Sequence, residues 1–121
     1  MHNVRLGLVE SRFAQIVWDR APLTTKELLA ICAQEFDWKR TTTYTVLKKL
    51  CERGIFKMED SVVTVLISKE KFQTIQSEHM VNDTFEGSLP AFIAAFTARN
   101  TLTPQEVEQI QQMIDAAKEG K

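Results

Sequence analysis

Apolar residues recur along the first part of the chain at helical spacing, then change period, then return to it. Val9, Phe13, Ile16 and Val17 stand at i, i+4, i+7 and i+8, the stripe of an amphipathic helix that Ala21-Pro22 ends. Thr24-Thr25-Lys26-Glu27 has the spacing of a capping box, in which a Thr hydroxyl and a Glu carboxylate each accept the other residue's backbone N–H. Leu28, Ile31 and Cys32 form the buried side of the short helix it opens, which should stop near Phe36-Asp37. In the run from Trp38 to Gly54, Thr43, Val46, Leu47, Leu50 and Cys51 share one face, while Thr41, Thr42, Thr45, Lys48, Lys49 and Glu52 fall elsewhere. After Gly54 the period drops to two. Ile55, Phe56 and Met58, the polar turn Glu59-Asp60-Ser61, and the β-branched run Val62 to Ile67 predict a β-hairpin.

The remainder reads as helix. Lys69 to about Phe85 contains no breaker, but Phe72, Ile75, Met80, Val81 and Phe85 do not lie on one stripe, which predicts two different contacts. Gly87-Ser88 opens the next helix, with Leu89, Phe92, Ile93 and Phe96 at i, i+3, i+4 and i+7 and a break at Asn100-Thr101. Thr103-Pro104-Gln105-Glu106 combines an N-cap Thr, Pro at the first helical position and Glu at the third. Val107, Ile110 and Ile114, with Met113 beside them, stripe the last helix, which should fray at Gly120.

Two short helices about four residues apart, the second Thr-rich and basic, have the order of a helix-turn-helix, and the hairpin after them makes a winged helix. The expected fold is mainly α with a small β-hairpin: a winged helix-turn-helix over 1–68, then a helical dimerisation region over 69–121. Narrow apolar stripes on so few residues cannot close a core alone, so the second region is expected to be half of a dimer interface, through Leu89, Phe92, Ile93, Phe96, Val107, Ile110 and Ile114.

Side-chain chemistry sharpens the reading of the third helix. Thr41, Thr42, Thr43 and Thr45 crowd its start, although β-branched residues are poor helix formers, so something other than helix stability selects them. Short hydroxyls approach phosphates and base edges closely, and a Thr methyl fits the methyl of thymine. From Trp38 to Lys57 the chain carries Lys39, Arg40, Lys48, Lys49, Arg53 and Lys57 against the single acid Glu52, a concentration that attracts a polyanion. Candidate DNA contacts are Lys39, Arg40, Thr41, Thr42, Tyr44, Thr45, Lys48 and Lys49. The bland alternative is a solvated basic helix end with Gly54 as its stop and Arg53 settling the dipole.

A net charge of −1 argues against nucleic acid only if it is averaged over the chain. Residues 1–60 hold ten Lys/Arg and eight Asp/Glu, whereas 61–121 hold five and eight, so the basic character is local. Cys32 and Cys51 fall at core-facing positions and read as small buried apolar residues; with no CxxC and with His2 and His79 isolated, neither a metal site nor a cofactor is expected. No paired carboxylates, activated nucleophile or phosphate loop suggests an enzyme. Met1-His2-Asn3-Val4-Arg5 followed by Leu6 to Val9 and then charge lacks the plan of a signal peptide, and no run reaches the ~20 apolar residues of a membrane span, so a cytoplasmic protein without membrane insertion is expected.

With these residues in place, the chain resembles the penicillinase and methicillin-resistance repressor family (BlaI/MecI type) over nearly its full length. The likeness rests on Glu10-Ser11-Arg12-Phe13-Ala14-Gln15-Ile16-Val17-Trp18, and on Trp38, Thr42, Thr45, Leu47, Lys49, Leu50, Arg53 and Gly54 at the family's recognition-helix spacing. Gly87-Ser88-Leu89, Ala95-Phe96 and Leu102-Thr103 with Glu106 match its dimerisation segment. The resemblance implies a homodimeric repressor on a palindromic operator, derepressed when a membrane-bound sensor protease cuts the dimerisation region. Three departures stand out: Glu59-Asp60-Ser61-Val62-Val63 is acidic and apolar where the family's wing is basic and aromatic, Ala95-Phe96 replaces its scissile Asn-Phe, and the Cys-rich tail of its copper-responsive relatives is absent. The alternative from another class is a winged-helix module whose basic helix docks an acidic protein.

Overall fold

Helix α1 (Leu8–Arg20) starts without a side-chain hydroxyl to cap it; instead the Glu10 carboxylate reaches back to accept the Gly7 N–H at 3.1 Å. The structure, a computed structural model, describes residues 6–119. After α1 come β1 (Leu23–Thr24), α2 (Thr25–Phe36), α3 (Arg40–Glu52), β2 (Phe56–Glu59), β3 (Val62–Val65), α4 (Lys69–Phe85), α5 (Leu89–Thr97) and α6 (Pro104–Glu119). The fold is a winged helix followed by C-terminal helices, as the periodicity predicts.

The hairpin turns on Asp60 and Ser61, both at positive φ (54° and 64°), the backbone twist that lets a two-residue loop join antiparallel strands. Met58 pairs with Val63 and Glu59 with Val62 across it. A third strand goes beyond the expected hairpin: Leu23–Thr24 pairs with Val63 and Val62 on the other side of β3, giving the order β1-β3-β2. Two residues are too few to show a period, and Thr24 also serves as the N-cap of α2, donating its N–H to Glu27 Oε1 at 2.8 Å and accepting the Glu27 N–H at 3.0 Å.

The core draws Phe13, Ala14 and Val17 from α1, Leu28 and Cys32 from α2, Leu47 and Leu50 from α3, Leu23, Ile55, Phe56 and Val63 from the sheet and its approach, and Phe72 from α4. Val9 does not join it: the residue is 46 % exposed, the stripe of α1 begins at Phe13, and Leu6, upstream of the helix, packs on the core instead. Cys51 is only half-buried, beside Tyr44, Leu47, Lys48 and Met58 in a groove between α3 and β2. Burial pushes both thiols above their ordinary range; for Cys32 the Thr43 hydroxyl partly offsets this. That hydroxyl is itself buried without a well-formed hydrogen bond, a thiol being a weak partner.

The chain falls into two compact units, one running to His79 and the other beginning at Met80 within α4. In the second, Ser88 Oγ accepts the Ala91 N–H at 3.1 Å to cap α5, and Thr103 and Glu106 form the expected reciprocal cap on α6. Phe85, Phe92 and Phe96 make a chain of ring contacts at 5.6 and 6.4 Å. No side chain described in this unit is buried. The expected fraying at Gly120, and His2, lie outside the described residues.

Candidate nucleic-acid interface

The turn into α3 is held tightly. Asp37 takes the left-handed conformation (φ 56°), its N–H bonding to the carbonyls of Ala33 and Cys32, and only three residues separate α2 from α3. Asp tolerates this geometry better than most non-glycine residues. The Trp38 ring then lies against Phe36 and Phe13, with centroids 4.7 and 6.0 Å apart, and the Arg12 guanidinium sits 5.2 Å over the Phe36 ring. At the other end Gly54, at φ 80°, supplies the left-handed residue that lets Ile55 N–H reach the Leu50 carbonyl and turns the chain into the wing.

Between these fixed ends, Thr43, Leu47 and Leu50 are buried, and the opposite face is open. Lys39, Arg40, Thr41, Thr42, Thr45, Lys48 and Lys49 are exposed, and Tyr44 is half-buried with the Arg40 guanidinium 5.3 Å over its ring. The first turn of α3 holds no acid and its N-cap, Lys39, offers no side-chain acceptor, so the positive end of the helix dipole and two cations coincide there. Thr45 Oγ1 donates to the Thr41 carbonyl at 2.8 Å, which spends its proton but leaves its lone pairs. The Thr41 and Thr42 hydroxyls have no partner among the described residues, so each can donate and accept.

The six basic side chains of this stretch are not equivalent. Lys49 Nζ lies 2.8 Å from Glu10 Oε2, Arg53 Nη1 lies 4.0 Å from Glu10 Oε1, and Lys57 Nζ lies 3.1 Å from Glu59 Oε1. The Lys49 hydrogen bond, the Gly7 N–H and the charges of Lys49 and Arg53 hold the Glu10 carboxyl below its ordinary range. Lys39, Arg40 and Lys48 have no acid partner among the described residues. Sequence reasoning missed Glu10. Its spacing from Gly7 marks a helix start, but nothing in the order of residues brings it to α3 some forty positions later.

The residues expected to dimerise fall in the second unit, and they are open. Leu89 is 57 % exposed, Ile93 41 %, Phe96 49 %, Val107 50 % and Ile114 47 %, with Met113 at 67 %; Phe92 and Ile110 are half-buried. Among the described residues, no group of three or more His, Cys, Asp or Glu could hold a metal, and no helix is long and apolar enough to cross a membrane.

This arrangement has counterparts among known proteins. A model of the family described as penicillinase repressor matches residues 6–116. The chain is similar to a penicillinase repressor of Bacillus licheniformis, 20 % identical over 116 residues that cover 93 % of this chain and 91 % of that protein.

Proposed function

Because the chain belongs to the penicillinase repressor family, whose members are DNA-binding transcriptional repressors, we propose that it represses transcription as a homodimer on a palindromic operator. The observation that carries this reading is the open face of α3, basic and rich in free hydroxyls, on a helix fixed at both ends. Lys39, Arg40 and Lys48 meet phosphates, with Lys49 at the margin, while Thr41, Thr42, Tyr44 and Thr45 approach base edges. One such face covers one half-site, so two are needed to reach successive major grooves, spaced roughly one DNA turn, ~34–36 Å, or a multiple apart. The open stripes of α5 and α6 are the surfaces that supply this pairing, through Leu89, Phe92, Ile93, Phe96, Val107, Ile110 and Ile114, in a region spanning 69–121, after a DNA-binding region of 1–68.

The same division gives the repressor its switch. Anything that disorders α5, such as a cut near the exposed Ala95-Phe96 by a membrane sensor protease, separates the protomers and releases operator without touching a DNA-contacting residue. The test is binding of the purified protein to duplex DNA upstream of its own and neighbouring genes, across a salt series. We expect a dimer on the duplex and a steep fall of log K with log salt, at a slope of about −0.9 per phosphate contact. A flat salt profile with binding to acidic protein instead would overturn the repressor reading.

A further inference from the structure

We propose that Glu10 limits the phosphate contact of α3: by pairing with Lys49 and Arg53 from the side of α1, it draws part of their charge from the duplex and concentrates phosphate contact on Lys39, Arg40 and Lys48. The inference rests on the DNA-binding reading above. It follows from the pairing pattern. Glu10 is anchored at its own end by the Gly7 N–H (3.1 Å), which fixes the carboxylate at the first turn of α1. Its two oxygens then face two cations of α3 and its C-cap, Lys49 at 2.8 Å and Arg53 at 4.0 Å, with the Glu10 side chain only 19 % exposed. A carboxylate hydrogen-bonded at both oxygens competes with a phosphate for a lysine one turn before the helix end, and because the Lys49 side chain is 54 % exposed the pairing weakens its reach to DNA without abolishing it. Lys48, next in sequence, is exposed beside the groove that Tyr44, Leu47 and Met58 also line, and has no such competitor among the described residues.

The consequence is a division between adjacent lysines that their order in the chain does not reveal. Non-specific affinity comes almost wholly from phosphate neutralisation, so each cation withheld lowers binding to random DNA while leaving base contacts alone. Withholding charge at the C-terminal end of α3 therefore lowers affinity for operator and random duplex alike and makes the salt dependence shallower.

The experiment compares Lys48→Ala, Lys49→Ala and Glu10→Gln with the unsubstituted full-length protein, measuring the salt dependence of binding to operator and to random duplex. Lys48→Ala should make the slope shallower by about 0.9 per protomer, and Lys49→Ala by clearly less than that. Glu10→Gln keeps an amide oxygen for the Gly7 N–H but frees Lys49, so it should steepen the slope by up to about 0.9 per protomer and tighten random DNA and operator alike. Equal losses of slope for Lys48→Ala and Lys49→Ala would overturn the proposal while leaving the repressor reading intact. So would a Glu10→Gln protein, folded by circular dichroism, that loses affinity on both duplexes, since Glu10 would then act through packing alone. Failure of the unsubstituted protein to bind any duplex would remove both readings together.

Discussion

The two units of this chain solve the burial of apolar surface in opposite ways. The first closes its core within itself: Phe13, Val17, Leu28, Leu47, Leu50, Phe56 and Val63 are all at most 2 % exposed. The second builds its helices well, with side-chain caps at Ser88 and Thr103, yet leaves Leu89, Phe96, Val107 and Met113 about half exposed or more. Good local capping therefore says nothing about whether a helix is finished. Caps satisfy a few backbone N–H groups, each worth ~1 kcal/mol, while a fully buried Leu or Phe contributes roughly 1.5–3 kcal/mol. The second unit has the caps but not the burial, and another copy of the same stripe can supply it.

Substitutions can break this contrast. The largest effect is expected at Phe13→Ala, which empties a ring-sized volume at the centre of the first unit and should cost about 3–5 kcal/mol. Urea denaturation should show that loss at every protein concentration. Phe96→Ala should act differently: truncating an aromatic anchor in a paired surface costs ~2 kcal/mol or more, a roughly 30-fold weaker dimer, with the first unit unchanged. Sedimentation over a concentration series measures it, and a variant as dimeric as the parent at micromolar concentration places the interface elsewhere.

Smaller effects sharpen the contrast by probing the polar face that the first unit turns outward. Thr42→Ala should leave the unfolding midpoint in place but reduce the preference for operator over random DNA by about 1–3 kcal/mol, if its free hydroxyl meets a base edge. Equal losses on the two duplexes would make it a phosphate ligand. The mildest effect is expected at Glu10. Its folded-state carboxyl sits below its ordinary range, chiefly through Lys49 and Gly7, so its stabilisation is fully present above the unfolded value and is lost as pH falls through the depressed folded one. The gap in Tm between the parent and Glu10→Gln should therefore be widest near neutral pH and close in acid.

Most of the fold is legible in local signals. Helix α4 runs unbroken to Phe85, as the lack of a breaker predicts, and both capping boxes, at Thr24 and Thr103, form at their expected spacing. Features set by distant partners are hidden. β1 exists only because β3 offers it an edge, and Val9 keeps the right period but stays 46 % exposed, outside the core. The candidate interface divides the same way. The exposed side of α3 follows from periodicity alone, but the unequal standing of Lys48 and Lys49 depends on Glu10, whose arrival at α3 is a tertiary fact.

The placement of the two tryptophans makes the molecule its own optical probe. Trp38 lies in the turn that starts α3, between Phe36 and Phe13. Trp18 sits at the other end of the core, where its indole N–H donates to the Ile67 carbonyl at 3.0 Å and its ring meets Phe56 and Phe72 at 5.6 Å. A half-sheltered indole changes its emission when water reaches it, so each ring reports on one boundary of the first unit. With Trp38→Phe, the remaining signal follows the seating of the first turn of α4, and with Trp18→Phe it follows the α2–α3 turn. Titrating duplex into the two single-tryptophan proteins would then tell a change at the α2–α3 turn from one at the start of α4, with no label attached.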